Sequence, residues 1–74
     1  MVYRVWYVGN DQWLLARMGG ERAWRFNDHV TAALAGVRLI EDAGLTLSAD
    51  NVVMVGPRPD MADRVTVVDH SVAL

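Results

Sequence analysis

The stretch YRVWYVGNDQWLLARMGGERAWRF, residues 3–26, decides the fold. Residues 3–8 are nearly all aromatic or β-branched, the side chains that fill a pleated, half-buried surface, so they read as a strand. Gly9-Asn10-Asp11 is a turn signal, and residues 12–18 read as a second strand that pairs back on the first. Gly19-Gly20 provides another tight turn, since glycine takes positive φ angles without a Cβ clash, and residues 22–26 follow as a third short strand. Two tight turns in succession predict an antiparallel meander.

Beyond the meander the periodicity changes. Asn27 or Asp28 can cap a helix over residues 30–43, because either side chain accepts a hydrogen bond from the free amides of a first turn. Val30, Ala33, Leu34, Val37 and Ile40 recur at spacings of three and four and mark the expected buried stripe, with Gly44 as the C-terminal stop. Gly36 costs about 1 kcal/mol against alanine inside a helix, which points to a close approach to the sheet. Ala32, Ala35 and Leu39 lie off the main stripe and leave the outer side less polar than a monomer requires. Residues 45–50 read as a linker and 51–55 as a strand, ended by Gly56-Pro57-Arg58-Pro59-Asp60, where two prolines cannot donate ladder bonds. Residues 64–69 are a further β segment. The expected fold class is α+β, an antiparallel β-meander with one helix on one sheet face, in the order β-β-β-α-β-β. Residues 1–74 read as one domain; residues 60–74 either return beside the preceding strand or extend to be exchanged with another subunit.

Strand parity raises the question of partners. On the second strand Trp13, Leu15 and Arg17 share one face while Leu14, Ala16 and Met18 share the other; on the first, Val2, Arg4, Trp6 and Val8 oppose Tyr3, Val5 and Tyr7. Both faces are substantially apolar, and one helix covers only one of them. An uncovered second face would be a larger apolar patch than monomers usually show. The expectation is a non-enzymatic module that self-associates, as a homodimer, or binds another protein. Its candidate interface residues are Tyr3, Trp6, Trp13, Trp24, Val65 and Val67, since aromatic side chains bury large area at small entropic cost. The competing expectation is that the last β segment or the linker folds back over that face.

The bulk properties agree with a small domain that gains from a partner. With 74 residues the chain sits near the lower limit for folding on apolar burial alone, yet 53% hydrophobic residues and three tryptophans exclude intrinsic disorder. No apolar run approaches the ~20 residues of a membrane span, and residues 1–8 lack a secretory signal pattern, so a cytoplasmic, non-membrane location is the default expectation. Cysteine is absent, which removes disulfides and thiol chemistry, and all seven basic residues are arginine.

Nucleic-acid binding is the alternative. Arg4, Arg17, Arg22 and Arg25 are interleaved with Tyr3, Trp6, Tyr7, Trp13 and Trp24, and exposed sheet aromatics stack on bases while arginines meet phosphate. Against it stand the net charge of -2 and a parity that sets Arg22 with Trp24 and Phe26 but Arg25 with Ala23.

No catalytic or cofactor set emerges. Asp28-His29 and Asp69-His70 pair an imidazole with a carboxylate, but two histidines without cysteine and without HxH or HExxH spacing do not compose a metal site. Ser48, Ser71, Thr31, Thr46 and Thr66 include no glycine-flanked nucleophile, and Thr31 and Ser48 read as local caps or turn residues. Glu41-Asp42 are adjacent helical residues that diverge. Gly19-Gly20 lacks a following helix and is not a phosphate loop. Gly56-Pro57-Arg58-Pro59 reads as a stiff turn rather than a polyproline ligand. The expectation is therefore no enzyme activity, no metal and no cofactor.

Trp13, Gly20, Ala23, Phe26 and the helix over residues 31–43 resemble a widespread family of small bacterial domains of unknown function. That pattern is a Trp-containing β-meander followed by an alanine-rich helix and a strand, here Gln12-Trp13-Leu14-Leu15, Gly20-Glu21-Arg22-Ala23, Phe26 and Ala32-Ala33 through Gly44, covering roughly residues 3 to 55. Gln12 stands where the family usually has glycine, and lysine, common in the family, is missing. The same β-β-β-α-β order is similar to small antitoxin domains that bind a toxin partner, without their acidic and glycine-rich strand signature. Neither resemblance implies a catalytic residue; the second implies action by binding.

Overall fold

The computed structural model describes residues 1–68 of the chain. Three antiparallel strands, β1 (Val2–Gly9), β2 (Gln12–Arg17) and β3 (Arg22–Phe26), are followed by helix α1 (His29–Asp42), β4 (Val52–Val55), a 3-10 turn (Asp60–Arg64) and β5 (Thr66–Val68). The two-residue loop Asn10-Asp11 closes the first hairpin with φ of 54° and 56°, the left-handed pair whose twist matches that of the flanking strands.

The sheet is mixed, and this corrects the expectation of a purely antiparallel meander. The spatial order is β4-β1-β2-β3-β5, with β4 parallel to β1 and β5 parallel to β3. The reason lies in the two crossovers. A helix of 14 residues spans about 21 Å at ~1.5 Å per residue, enough to carry the chain back to the end of the sheet where β1 starts. Strand β4 then leaves in the direction of β1 and takes its open edge. On the opposite sheet face, residues 56–65 make the second return and deliver β5 to the open edge of β3. In this chain Thr66 to Val68 pairs with β3, in register with Arg22, Ala23 and Trp24. Residues 69–74, part of the expected extension, lie outside the described residues.

Two cores result, one on each face. Under the helix, Tyr3, Val5, Leu15 and Phe26 meet Ala32, Ala35 and Ile40. On the other face Trp6, Leu14, Ala16 and Ala23 meet Met61, Ala62, Val65 and Val67 from the returning chain. Trp6 is only 1% exposed. Of the two expectations for that face, the structure shows the covered one. Arg4 helps to seat the covering segment, its guanidinium donating to the Pro57 carbonyl at 3.2 Å.

The helix stripe also differs from expectation. Ala32, Ala35, Gly36 and Ile40 are the buried positions, whereas Val30 and Leu34 are 54% and 58% exposed. The sheet side of this interface is already filled by Tyr3, Leu15, Phe26 and parts of Trp13 and Trp24. Small residues let the helix approach, so the Ala/Gly stripe wins over the bulkier Val/Leu one. Gly36 marks the contact: a Cβ there would lie 2.8 Å from Val53 Cγ2.

Both helix ends are built as the sequence implies. Asp28 is the N-cap, its carboxylate accepting from the amides of Val30 at 2.8 Å and Thr31 at 3.2 Å and from the Thr31 hydroxyl. At the other end Gly44, at φ +79°, donates to Glu41 O and Leu45 donates to Ile40 O, a Schellman pair. The hydrogen bonds from Thr31 hold the Asp28 carboxyl below its usual value of 3.8, with the Val30 amide adding to the effect. A depressed folded-state pKa stabilises the fold above the unfolded value and loses that contribution as pH falls through the folded value. Thermal stability should therefore drop as pH is lowered below 3.8, and Asp28→Asn should show a shallower acid decline in parallel melting curves.

Candidate interaction surfaces

The six residues expected at an interface separate into different environments. Tyr3 is buried in the helix-side core and Trp6 beneath the returning chain. Val65 and Val67 are half-buried and pack on the Trp6 side, as parts of the cover rather than of an open face. Trp24 is half-buried on the helix side, and Trp13 is half-buried in an aromatic cluster with Tyr7 at 5.2 Å and His29 at 5.0 Å between ring centroids. His29 is thus a ring contact at the helix start. Thr31 completes the cap, and the Ser48 hydroxyl accepts from the Asp50 amide, so both act locally. Among the described residues no three His, Asp or Glu side chains converge on a point that could hold a metal ion; His70 and Ser71 lie outside them.

The four arginines of the nucleic-acid alternative divide between the two sheet faces. Arg4 and Arg25 lie on the Trp6 side, where Arg4 meets Pro57 and Arg25 donates to the Gln12 side chain at 2.5 Å. Arg17 and Arg22 lie on the helix side, in register with Tyr3 and Thr66 respectively. With Tyr3, Trp24 and Glu21 they border an open recess of about 420 Å³ beside the Gly19-Gly20 turn. Burial raises the Tyr3 phenol above its ordinary pKa, with Arg17 acting in the opposite sense. Trp24 lines this recess beside the two arginines.

Other exposed apolar side chains lie on α1, β4 and the connection between them. Val30 and Leu34 form a ridge along the outside of α1, and β4 forms one border of the sheet, with Met54 49% and Val55 47% exposed. Leu45 and Leu47, in the connection from α1 to β4, are exposed as well. The α1 ridge was visible in the sequence as an apolar stripe but read as the buried one. The signal that distinguishes the two stripes is Gly36, which belongs with Ala32 and Ala35 and not with Val30 and Leu34.

The backbone of β4 carries hydrogen-bonding groups along this border. The Val52 amide donates to Met1 O at 3.1 Å and the Gly56 amide to Val5 O at 3.0 Å, so the even-numbered residues turn toward β1. In a ladder alternate residues point to opposite sides, which directs the amides and carbonyls of Val53 and Val55 away from the sheet. Residues 52–55 carry none of the prolines or charged side chains with which natural sheets blunt an edge.

No family model matches the chain, and neither a curated protein nor a solved structure is found to be similar to it. No helix among the described residues is long and apolar enough to cross a membrane.

Proposed function

We propose that this chain is a protein-binding module that acts by association and without chemical turnover, with a second copy of itself as the first partner. The observation that carries this reading is the border formed by β4, where, among the described residues, no strand pairs with the outward backbone groups of Val53 and Val55, and the side chains of Met54 and Val55 are exposed. Burying such a strip gives both apolar contact and directed hydrogen bonds, the combination by which proteins extend one another's sheets. The Val30–Leu34 ridge supplies a further apolar contact on the same domain. The arginine pair Arg17 and Arg22 gives the alternative, nucleic-acid binding, a much smaller footprint, and the overall charge of -2 opposes it.

Light scattering behind size exclusion, over a range of protein concentrations, tests the reading. The expected result is a mass that rises from 8.2 kDa toward twice that value. A mass that stays at 8.2 kDa throughout, with no protein retained on an immobilised copy of the chain, would remove self-association.

A further inference from the structure

We propose that the recess beside the Gly19-Gly20 turn binds a small aromatic phosphomonoester, its phosphate held by Arg17, Arg22 and Tyr3 and its ring on the Trp24 side. The site is separate from the β4 border and does not depend on association there. Its basis is the strand register. Tyr3 stands opposite Arg17, and Ala16 stands opposite Ala23. The next pair outward therefore sets Arg17 opposite Arg22, both on the helix-side face. Like charges directly opposite one another across a sheet repel. Glu21 borders the same recess, yet among the described residues it forms an ion pair with neither arginine.

Three further observations meet at this point. Tyr3 is only 6% exposed and lines the recess, and among the described residues its hydroxyl has no hydrogen-bond partner. Buried polar groups are ordinarily satisfied, so an unpartnered phenol at the wall of an open recess leaves a donor for a ligand. The turn is shaped around Arg17: a Cβ on Gly20 would lie 3.7 Å from Arg17 Nε, and the bare glycine leaves that space to the arginine side chain. Trp24, two residues from Arg22 on the same face, is half-buried and gives the recess an apolar wall. The recess measures about 420 Å³, within the range of small-ligand sites.

These groups select the chemistry of the occupant. Two opposed guanidiniums offer two positive charges, and a carboxylate balances only one of them. A phosphomonoester carries nearly two negative charges at neutral pH on one compact group, with acceptor oxygens for both guanidiniums and for the Tyr3 hydroxyl. Bound between the arginines, it also removes their mutual repulsion. A nucleic-acid backbone phosphate has a single negative charge, and a net charge of -2 on the protein opposes a longer polyanion. The Trp24 wall favours a ring next to the phosphate over inorganic phosphate alone.

Isothermal titration calorimetry on the full chain tests the site, with phenyl phosphate, inorganic phosphate, benzoate and a short oligothymidylate lacking a terminal phosphate as probes. Phenyl phosphate should bind about tenfold more tightly than inorganic phosphate or benzoate. Arg17→Gln and Arg22→Gln should each weaken it about tenfold or more, and Tyr3→Phe should weaken it less. Arg38→Gln, at an exposed position of α1, should leave it unchanged. Because the two arginines repel, removing either should not lower the melting temperature of the ligand-free protein, which separates lost binding from lost fold. Equal affinity for benzoate would overturn the phosphomonoester, and equal affinity for inorganic phosphate would overturn the role of the ring. Tighter binding of the oligothymidylate, lost in the same variants, would assign the arginine pair to a nucleic-acid strand instead. No heat with phenyl phosphate at millimolar concentration, or binding weakened as much by Arg38→Gln as by Arg17→Gln, would overturn the site.

Discussion

Replacing Trp6 by alanine should destabilise the domain by about 3–5 kcal/mol, because it removes a fully buried indole and leaves a cavity that the surroundings fill only in part. Trp6 lies between the sheet and the returning chain, in a core shared with Leu14, Ala16, Ala23, Met61, Ala62, Val65 and Val67. Domains of this size have total stabilities of about 4–11 kcal/mol at ~0.05–0.15 kcal/mol per residue, so the variant should be close to unfolding at room temperature. Chemical denaturation followed by far-ultraviolet circular dichroism measures the loss. Trp13→Ala is the control: its ring is half-buried and should cost less. A Trp6→Ala protein with wild-type stability would mean that residues 56–65 do not cover that face. The result also separates core from interface, since an interface tryptophan would weaken association while leaving the folded subunit stable.

The second large effect is expected at Gly36. A Cβ there would come within 2.8 Å of Val53 Cγ2 and 3.1 Å of Leu15 Cδ1, so the helix and sheet touch with no space for a side chain. Gly36→Ala sets about 1 kcal/mol of improved helix propensity against an overpacking cost of about 1–3 kcal/mol, and should be mildly destabilising. Gly36→Leu has no comparable compensation. It must lift α1 off β4 and β2, and should lose about 3 kcal/mol or more. Thermal melts of the two variants beside wild type check the order, wild type above Ala above Leu. A rise in melting temperature for Gly36→Ala matching its propensity gain would show that the helix stands farther from the sheet. Because Val53 also belongs to β4, the border proposed for association, Gly36→Leu should weaken association along with stability.

These two sites show how local and tertiary information divide in this chain. The Asn10-Asp11 turn, the Asp28 cap and the Gly44 stop were legible because each depends on groups within a few residues: positive φ at the turn and stop, and an acceptor for free amides at the cap. The strands were legible from the same local rules, and Gly36 was legible as a close approach. The candidate interface was less so. Trp6 and Tyr3 read as available because parity makes both sheet faces apolar, and parity cannot say whether a distant segment covers one of them. The cover comes from the chain after β4, where Gly56-Pro57-Arg58-Pro59-Asp60 reads as a turn and residues 64–69 as a β segment; Pro59 itself is buried, and Met61, Ala62, Val65 and Val67 pack on the Trp6 side.

By itself, then, the sequence determined the three-stranded meander, the single helix with its caps, and the presence of two further β segments, since each follows from short-range sterics and side-chain period. Only the tertiary structure decided that β4 runs parallel to β1 at one border, that β5 runs parallel to β3 at the other, and which of two apolar helix stripes faces the sheet. The physical reason is the same in each case. A crossover's direction depends on how far a helix or returning loop carries the chain across a sheet already formed, and a helix stripe is selected by the volume left free beneath it. Both are properties of the assembled layers, absent from any window of residues read alone, and among the described residues they leave β4 as a border strand.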